Sequence, residues 1–413
     1  MSSAHVTPNS NRLHYPHVKG AVSKDQLSVP VMNGLLKYAS PEQAVTNGHM
    51  RHVVHELQPR RTPQTDFFNG TNNFVDVELP QDLHYIDKMD LHMDLKNADS
   101  SDTSFNNLVS NLFSRVEVRV GSEIKETVTD IEQWIAQVPY QDYWALDRKQ
   151  EQEYVSPSTY KVGIDNAAFI IGDTETESAR IPLRCFVNAC GVPSSAVQEP
   201  IVLRFYSQDA GNVITNDTDF QLTDFKLLVR ERRVLDKDMT RAVSSNMDWR
   251  YVQPKLEERS IALTDGTTTR TVLNNFNPDD LCSHMWVLIR ASSHTGAAQD
   301  NYLTNVASKI YLEDESGQNL TNGIQWKGTD LLHKVYPDKF DNKAKAYHGL
   351  YLPLCPSEDP GKDYKEGSQT GVVPLSRNMK LCIESSATGT YFVSVIAMCA
   401  RHVRTEGGKV QIQ

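Results

Sequence analysis

Val109-Ser110-Asn111-Leu112-Phe113-Ser114-Arg115-Val116-Glu117-Val118 is the first of two similar stretches in this chain. It returns as Leu303-Thr304-Asn305-Val306-Ala307-Ser308-Lys309-Ile310-Tyr311-Leu312. Most positions are identical or chemically alike, and each stretch is followed by a Gln-Trp pair, Gln133-Trp134 and then Gln325-Trp326. The flanking features keep one order. An alternating strand precedes each copy (Met89–Leu95, Met285–Arg290), and a short proline-containing strand follows (Ile181-Pro182-Leu183, Leu352-Pro353-Leu354). Two further strand-like segments close each copy. Four features in one order argue for duplication of a domain, because a period of about 190 residues is far too long for a solenoid repeat. A helical turn at Leu108–Phe113 would deliver Arg115 into a strand, as its counterpart would Lys309, with Trp134 and Trp326 as core anchors. These residues read as builders of a sandwich rather than as a site.

From about residue 73 apolar and polar residues alternate with a period of two. Met89, Leu91, Met93 and Leu95 alternate with Asp90, His92 and Asp94, the pattern of a half-buried strand. Val116, Val118 and Val120 do the same until Gly121-Ser122 marks a hairpin turn before Ile124. Further strands are predicted at Ala167–Ile171, Arg180–Val187, Ile201–Tyr206 and Phe225–Val234 in the first half. The second half adds Met285–Arg290, Ile310–Leu312, Leu350–Leu354, Met379–Ile383 and Tyr391–Cys399. Helical periodicity is scarce. Ile131, Trp134, Ile135 and Val138 give one helix, with Thr129 and Glu132 as its capping box. Many short strands between turn residues predict sandwich or barrel architecture.

The 413 residues, 39% apolar and 23% charged, leave room for two or three domains at roughly 150 residues each. Abundant Val, Ile, Leu and Phe exclude a disordered, collagen-like or coiled-coil chain. No segment approaches the ~20 apolar residues of a membrane span. The N-terminus lacks the charged start and apolar run of a signal peptide, which predicts a protein not exported by that route. The sequons at Asn69, Asn216 and Asn319 carry little weight in that context. Six scattered cysteines (Cys185, Cys190, Cys282, Cys355, Cys382, Cys399), with no Cys-x-x-Cys, make neither a disulfide scaffold nor a zinc ribbon.

The net charge of −10 is unevenly distributed. Residues 1–65 hold seven cations (Arg12, Lys19, Lys24, Lys37, Arg51, Arg60, Arg61) against Asp25, Glu42 and Glu56, so a +4 segment precedes a −14 body. The segment shows no strand alternation and carries His5, His14, His17, His49, His52 and His55. It reads as an arm or partner-binding extension, the plainer alternative being a poorly ordered terminus. Ser40-Pro41-Glu42-Gln43 has the form of a capping box that would start a short helix there. The acidic body argues against broad nucleic-acid binding. The expected division is an arm at 1–65, a first sandwich at 66–235, a polar linker at 236–255 and a second sandwich at 256–413.

The chemistry-bearing residues point to no site: catalytic, cofactor-binding and metal-binding residues are all predicted to be none. His49, His52 and His55 would share a helical face. The intervening Val53 and Val54, and the lack of a carboxylate at ligand spacing, fit an amphipathic turn better than zinc or nickel. Glu313-Asp314-Glu315-Ser316-Gly317 lacks the alternating ligands of a calcium loop and reads as a charged hairpin. Asp90 and Asp94 share one strand face and point to solvent. No phosphate-binding loop, nucleophile elbow or His-Glu-x-x-His motif is present.

Several patterns resemble the double jelly-roll major capsid proteins of the tectivirus, adenovirus and polinton-like lineage. Phe74-Val75-Asp76-Val77-Glu78-Leu79, the strand Met89–Leu95, Asn107-Leu108-Val109 and Val116-Glu117-Val118-Arg119-Val120 are similar to the opening of that family's first roll. Pro182-Leu183 and Pro200-Ile201-Val202-Leu203-Arg204-Phe205 resemble its later strands. Ile261-Ala262-Leu263 through Ile310-Tyr311-Leu312, with Gly349-Leu350-Tyr351, resemble its second roll. The likeness covers roughly residues 70–404 and rests on strand and turn patterns rather than signature residues.

The resemblance implies an all-β fold: two tandem eight-stranded jelly-roll β-sandwiches, a double jelly roll, with an N-terminal arm and few short helices. It implies a structural, non-enzymatic virion protein without cofactor or small-molecule substrate, assembled inside the host cell. Its homotrimer would be a pseudo-hexagonal capsomer that meets neighbouring capsomers and minor capsid or penton proteins and tiles an icosahedral shell. The arm would face inward toward minor proteins, an internal membrane or the genome. Segments 139–166, 207–219 and 355–371 would be tower or contact loops. Two other readings stay open. One is a viral spike or carbohydrate- or receptor-binding β-sandwich, for which Trp144, Trp249 and Tyr251 are the candidate platform. The other is a β-sandwich hydrolase with two converging carboxylates.

Overall fold

The computed structural model describes residues 50–70, 73–98, 103–105, 112–129, 169–171, 174–183, 185–209, 214–215, 220–234, 247–293, 306–321, 349–354 and 373–412. In chain order the first eleven strands are β1 (Met50–Leu57), β2 (Phe74–Glu78), β3 (Tyr85–Asn97), β4 (Thr103–Phe105), β5 (Phe113–Val120), β6 (Glu123–Thr129), β7 (Phe169–Ile171), β8 (Thr176–Leu183), β9 (Ile201–Ser207), β10 (Ile214–Thr215) and β11 (Phe220–Val234). A short helix, α1 (Phe186–Cys190), lies between β8 and β9. Two four-stranded antiparallel sheets carry the architecture, one ordered β1-β11-β3-β8 and the other β2-β9-β5-β6, beside a small β10-β4-β7 sheet. Counting the eight main strands in chain order, the sheets read 1-8-3-6 and 2-7-4-5, the strand order of a jelly roll.

The rest of the chain repeats that order. Its strands are β12 (Met247–Leu263), β13 (Thr268–Val272), β14 (Leu281–Ala291), β15 (Ala307–Glu313), β16 (Gly349–Pro353), β17 (Val373–Pro374), β18 (Lys380–Ser385), β19 (Gly389–Glu406) and β20 (Lys409–Ile412). One sheet runs β12-β19-β14-β16, with β17 and β20 added at β14 and β19, and the other runs β13-β18-β15. These are 1-8-3-6 and 2-7-4 of a second roll. No strand takes the fifth place among the described residues; residues 322–348, between β15 and β16, lie outside them.

The repeated sequence marks the same strand in both rolls. Ser114 is the extra residue of a β-bulge where β5 pairs β9, and Ser308 is the extra residue where β15 pairs β18. The Ser114 hydroxyl donates to the Tyr206 carbonyl at 3.4 Å, and the Ser308 hydroxyl donates to the Glu384 carbonyl at 2.9 Å. Just before each bulge, the Leu112 carbonyl accepts from the Gln208 amide at 2.7 Å and the Val306 carbonyl from the Ser386 amide at 2.8 Å. A bulge leaves one residue without its ladder partner, and a serine satisfies the carbonyl across the gap. The paired prolines also have a positional reason. Pro182 lies on β8 and Pro353 on β16, each the outer strand of its sheet, where a missing N–H breaks no ladder bond.

Each roll has its own core. In the first, Met89, Leu91, Met93 and Leu95 face Val116, Val118, Leu203 and Phe205. Phe68, Phe113, Phe205 and Phe225 add edge-to-face ring pairs at 5.5–6.3 Å. Such pairs contribute about 0.5–1.5 kcal/mol each beyond burial. The second core uses Met285, Val287, Ile289, Ile310, Leu312, Val393 and Val395. Tyr251, Val403 and Val410 belong to the first core although they sit on β12, β19 and β20. The paired ribbon β12–β19 therefore runs past the second roll and closes the end of the first.

The structure corrects several boundaries. Residues 50–57, read as arm, form β1 and fill the first place in the first roll, pairing residue for residue with β11. Met50-Arg51-His52-Val53-Val54-His55-Glu56-Leu57 has no clean alternation; the open edge of the 15-residue β11 imposes the strand. Residues 247–255, read as linker, belong to β12, whose edge position tolerates Pro254. The strand expected over Arg180–Val187 ends at Leu183, and Val187 lies in α1. Gly121 turns β5 into β6 at φ 60°, as the Gly-Ser pair suggests, and a Cβ there would collide with the Glu199 carboxylate. The helix at 131–138, the Ser40 capping box, Trp134 and Trp326 lie outside the described residues.

If the bulge serines close the gaps in both rolls, Ser114→Ala and Ser308→Ala each lower stability by about 1 kcal/mol. Chemical denaturation checks this, and a double variant loses the sum because the two sites are far apart.

Candidate assembly surfaces

The outward face of the β2-β9-β5-β6 sheet is built in rows set by strand register. Phe74, Tyr206 and Arg115 form one row, Asp76, Arg204 and Glu117 the next, then Glu78, Val202 and Arg119. Arg204 grips Asp76 through two bonds of 2.6 and 2.8 Å. Glu117 accepts from Arg119 at 2.8 and 3.0 Å, from Arg115 at 3.2 Å and from the Tyr206 hydroxyl at 3.2 Å. The Arg115 guanidinium lies 3.7 Å from the Tyr206 ring centre, and that of Arg204 lies 4.2 Å from Phe74. Burial alone would raise the pKa of Glu117, but the Arg119 and Arg115 bonds outweigh it and hold the carboxyl below its ordinary value. Every charge in this plate is paired in place, while Phe74 and Ile124 remain 55% and 48% exposed at its two edges. Aromatic and arginine side chains with internally satisfied charge suit a protein contact, because desolvation strands no lone ion.

The equivalent positions of the second roll have diverged. Thr268, Glu384 and Lys309 replace the first row, and Arg270, Cys382 and Tyr311 the second. Arg270 instead reaches across to Glu313 at 3.1 Å, and Lys309 to Glu384 at 2.8 Å. The two rolls thus share a fold but present different surfaces.

Between the two cores a polar knot sits on the β12–β19 ribbon. Asp280 is buried and accepts from Lys255 at 2.7 Å, Arg401 at 2.7 Å and the Asn277 amide at 2.9 Å. Nearby, Glu257 accepts the amides of Asn274 and Asn275 at 2.9 and 2.8 Å. Burial pushes the Asp280 pKa up, but Lys255 and Arg401 outweigh it and leave it lowered.

The residues singled out for chemistry do not converge. His52 and His55 lie on a strand, not a helix, so a spacing of three puts them on opposite faces; His49 lies outside the described residues. His55 is 2.8 Å from the fully buried Glu231, which also accepts the His84 amide at 2.8 Å and Arg233 at 3.1 Å. Asp90 and Asp94 occupy the outward face of β3 but are half-buried, and Asp94 accepts from Ser178 at 2.6 Å. Glu313–Gly317 forms a hairpin turn in which Asp314 is bound by Ser316 and the Gln318 amide at 2.7 and 2.8 Å. Tyr251, a candidate platform aromatic, is buried instead; Trp144 and the Trp249 side chain lie outside the described residues. The five described cysteines are buried free thiols; Cys355 lies outside. Among the described residues no cluster has three metal-ligating side chains, and no helix is long and apolar enough to cross a membrane.

Comparison with protein-family models finds no match, and neither does comparison with curated protein sequences. Solved structures match over nearly the whole chain. The PBCV-1 protein VP54, fitted into a reconstruction of the virophage Sputnik, superposes with a TM-score of 0.62 at 13% identity, covering 88% of this chain and 97% of that one. The Faustovirus major capsid protein gives 0.55 at 9% identity, over 86% and 91% of the two chains. The major capsid protein of STIV gives 0.51 at 10% identity, over 84% and 96%. The fold is the double jelly roll of viral major capsid proteins. At these identities the agreement is one of topology, reached with different side chains. The double jelly roll accounts for the repeat, for the two cores and for the strand that extends into the expected arm.

The polar knot makes a pH prediction for this double jelly roll. A carboxyl with a lowered folded pKa stabilises above its unfolded value of about 4, and that contribution is lost as pH falls through the folded value. Asp280→Asn lowers stability by roughly 3 kcal/mol at neutral pH, because Lys255 and Arg401 lose a buried counter-charge. The variant's melting temperature then falls less between pH 5 and pH 3 than the wild type's, read by calorimetry at each pH.

Proposed function

We propose that this chain is the structural major capsid protein of an icosahedral virus, acting as a homotrimeric capsomer of pseudo-hexagonal outline and not as an enzyme. The observation that carries the reading is the duplicated jelly roll joined through one shared ribbon. Three such chains place six similar sandwiches around a threefold axis, so a trimer offers a six-sided outline to its neighbours. The divergence of equivalent surfaces supports it, because the two rolls of one chain would meet different neighbours. The similar chains from PBCV-1, Faustovirus and STIV are capsid proteins, which favours the same role and a place in the virion shell.

Neighbouring capsomers and minor capsid or penton proteins are the proposed partners. With β1 assigned to the first roll, only residues 1–49 remain as arm, carrying Arg12, Lys19, Lys24 and Lys37 against Asp25 and Glu42. That excess of two cations gives weaker electrostatic support for an inward anionic partner, a membrane or the genome, than the +4 of residues 1–65. The carbohydrate-binding reading loses Tyr251, which is buried in the first core.

Light scattering on the purified full-length chain tests the proposal. A stable species of three chain masses is expected; a monodisperse monomer at micromolar concentration contradicts it.

A further inference from the structure

Two cysteines face each other across β14 and β19. Leu281 pairs Ala400 and Cys282 pairs Cys399; Ser283 is then the extra residue of a bulge, and His284 pairs Met398. The bulge decides where Cys282 points. β14 sends Met285, Val287 and Ile289 into the second core, so strict alternation would turn position 282 away from it. The extra residue reverses that, and Cys282 joins Ala397 and Cys399 in the same core. Both cysteines are fully buried. The register is pinned from the side. Asp280 and Arg401 lie two residues beyond the pair, one on each strand's line, and their side chains bond at 2.7 Å.

This placement suits a covalent bridge. Directly opposed residues of an antiparallel ladder have Cα atoms about 4.5 or 5.5 Å apart, and a disulfide spans Cα separations of about 4.4–6.8 Å. The two thiols already hydrogen-bond each other, and the Cys282 sulfur also lies 3.1 Å from the His284 carbonyl. A single buried cysteine packs as a small hydrophobe; two that meet across a ladder are also a reactive pair. Burial first, and then the bond to Cys399, hold the Cys282 thiol well above its ordinary pKa, so the closed sheet is inert. The site opens at its rim. Leu281, which begins β14, is 36% exposed, and the strand paired with Cys282 on its other side, β17, has only two residues.

We propose that Cys282 and Cys399 are an oxidisable pair that closes to a disulfide across β14 and β19 by exchange with a small disulfide such as oxidised glutathione. When the start of β14 frays, the Cys282 thiolate attacks one sulfur of the reagent. The reagent's S–S bond breaks, one glutathione thiol leaves, and a mixed disulfide forms on Cys282. The Cys399 thiolate then attacks the Cys282 sulfur and expels the second glutathione. Two protein thiols are oxidised, one glutathione disulfide is reduced, and the two released glutathiones carry off the two protons. The bridge fastens β14 to the β12–β19 ribbon beside Asp280 and closes every residue between the two strands into one loop, which slows unfolding. A reducing cell keeps the pair open and an oxidising exterior closes it. The chemistry does not depend on the capsid reading.

The full-length chain, purified with reductant and then held folded with oxidised glutathione, tests this. Peptide mapping by mass spectrometry without reduction is expected to find the Cys282 peptide joined to the Cys399 peptide, and reduction to separate them. The bridged chain is expected to unfold in denaturant at least tenfold more slowly than the reduced chain. Cys399→Ala is expected to stop at glutathione on Cys282 and to gain no such resistance, while Cys382→Ala bridges as the wild type does. A folded wild type whose Cys282 and Cys399 peptides stay apart, as free thiols or as separate glutathione adducts, overturns the proposal. Linkage of either residue to a different cysteine, or linkage only after the chain is unfolded, overturns it equally.

Discussion

One antiparallel ribbon does the work of two domains. Strands β12 and β19 pair from Met247–Thr405 to Leu263–Gly389 without a break in register. Along one face of this ribbon, Ile261, Leu263, Val393 and Val395 close the second core, and Tyr251 and Val403 then close the end of the first. Between them the β12 side of the face turns polar while Ala397 and Cys399 of β19 stay in the second core, and Asp280 satisfies Lys255 and Arg401 at the end of that core. A continuous ladder cannot bend freely at its middle, so the two rolls are held in one relative setting by backbone pairing rather than by a flexible connector. The proposed capsomer would draw on such rigidity, since an error of orientation between its halves would be multiplied across every contact.

The duplication was legible because its signals are local. The Ser-Arg-Val and Ser-Lys-Ile steps recur because each roll needs a residue whose hydroxyl fills the gap left by a bulge, followed at once by a strand. The prolines at 182 and 353 recur because both lie on outer strands. Alternation exposed β3, one face apolar and the other half-buried and polar, whereas β14 is buried on both faces, with Trp286 and Leu288 behind Met285, Val287 and Ile289. What escaped was structure imposed from a distance. β1 is a strand because β11 offers it an edge, and its own residues mix His, Val and Glu without a clear period. β12 crosses a polar stretch and Pro254, both of which suggest a linker, because β19 pairs with it throughout. The polar knot was also hidden: Lys255, Asp280 and Arg401 are far apart in sequence, and nothing local distinguishes them from solvated surface charges.

The candidate surfaces show the same division. Phe74-Val75-Asp76-Val77-Glu78 was readable as a strand, but the Asp76–Arg204–Glu117 row exists only through register between three strands. Comparing equivalent positions in the two rolls turns that register into information about function. Internal core positions stay apolar in both copies, with Phe113 answering Ala307 and Val118 answering Leu312. Outward positions changed charge and kind, Asp76 to Arg270 and Glu117 to Tyr311. Duplicated cores held to one pattern while surfaces diverged fit two halves that share a fold and meet different partners.

The most direct test of the capsomer assignment is an image of the purified assembly. Class averages from electron microscopy should show a six-lobed outline whose symmetry is threefold and not sixfold, because alternate lobes are the first and second rolls and carry different surfaces. Particles with two lobes and no threefold axis would contradict it.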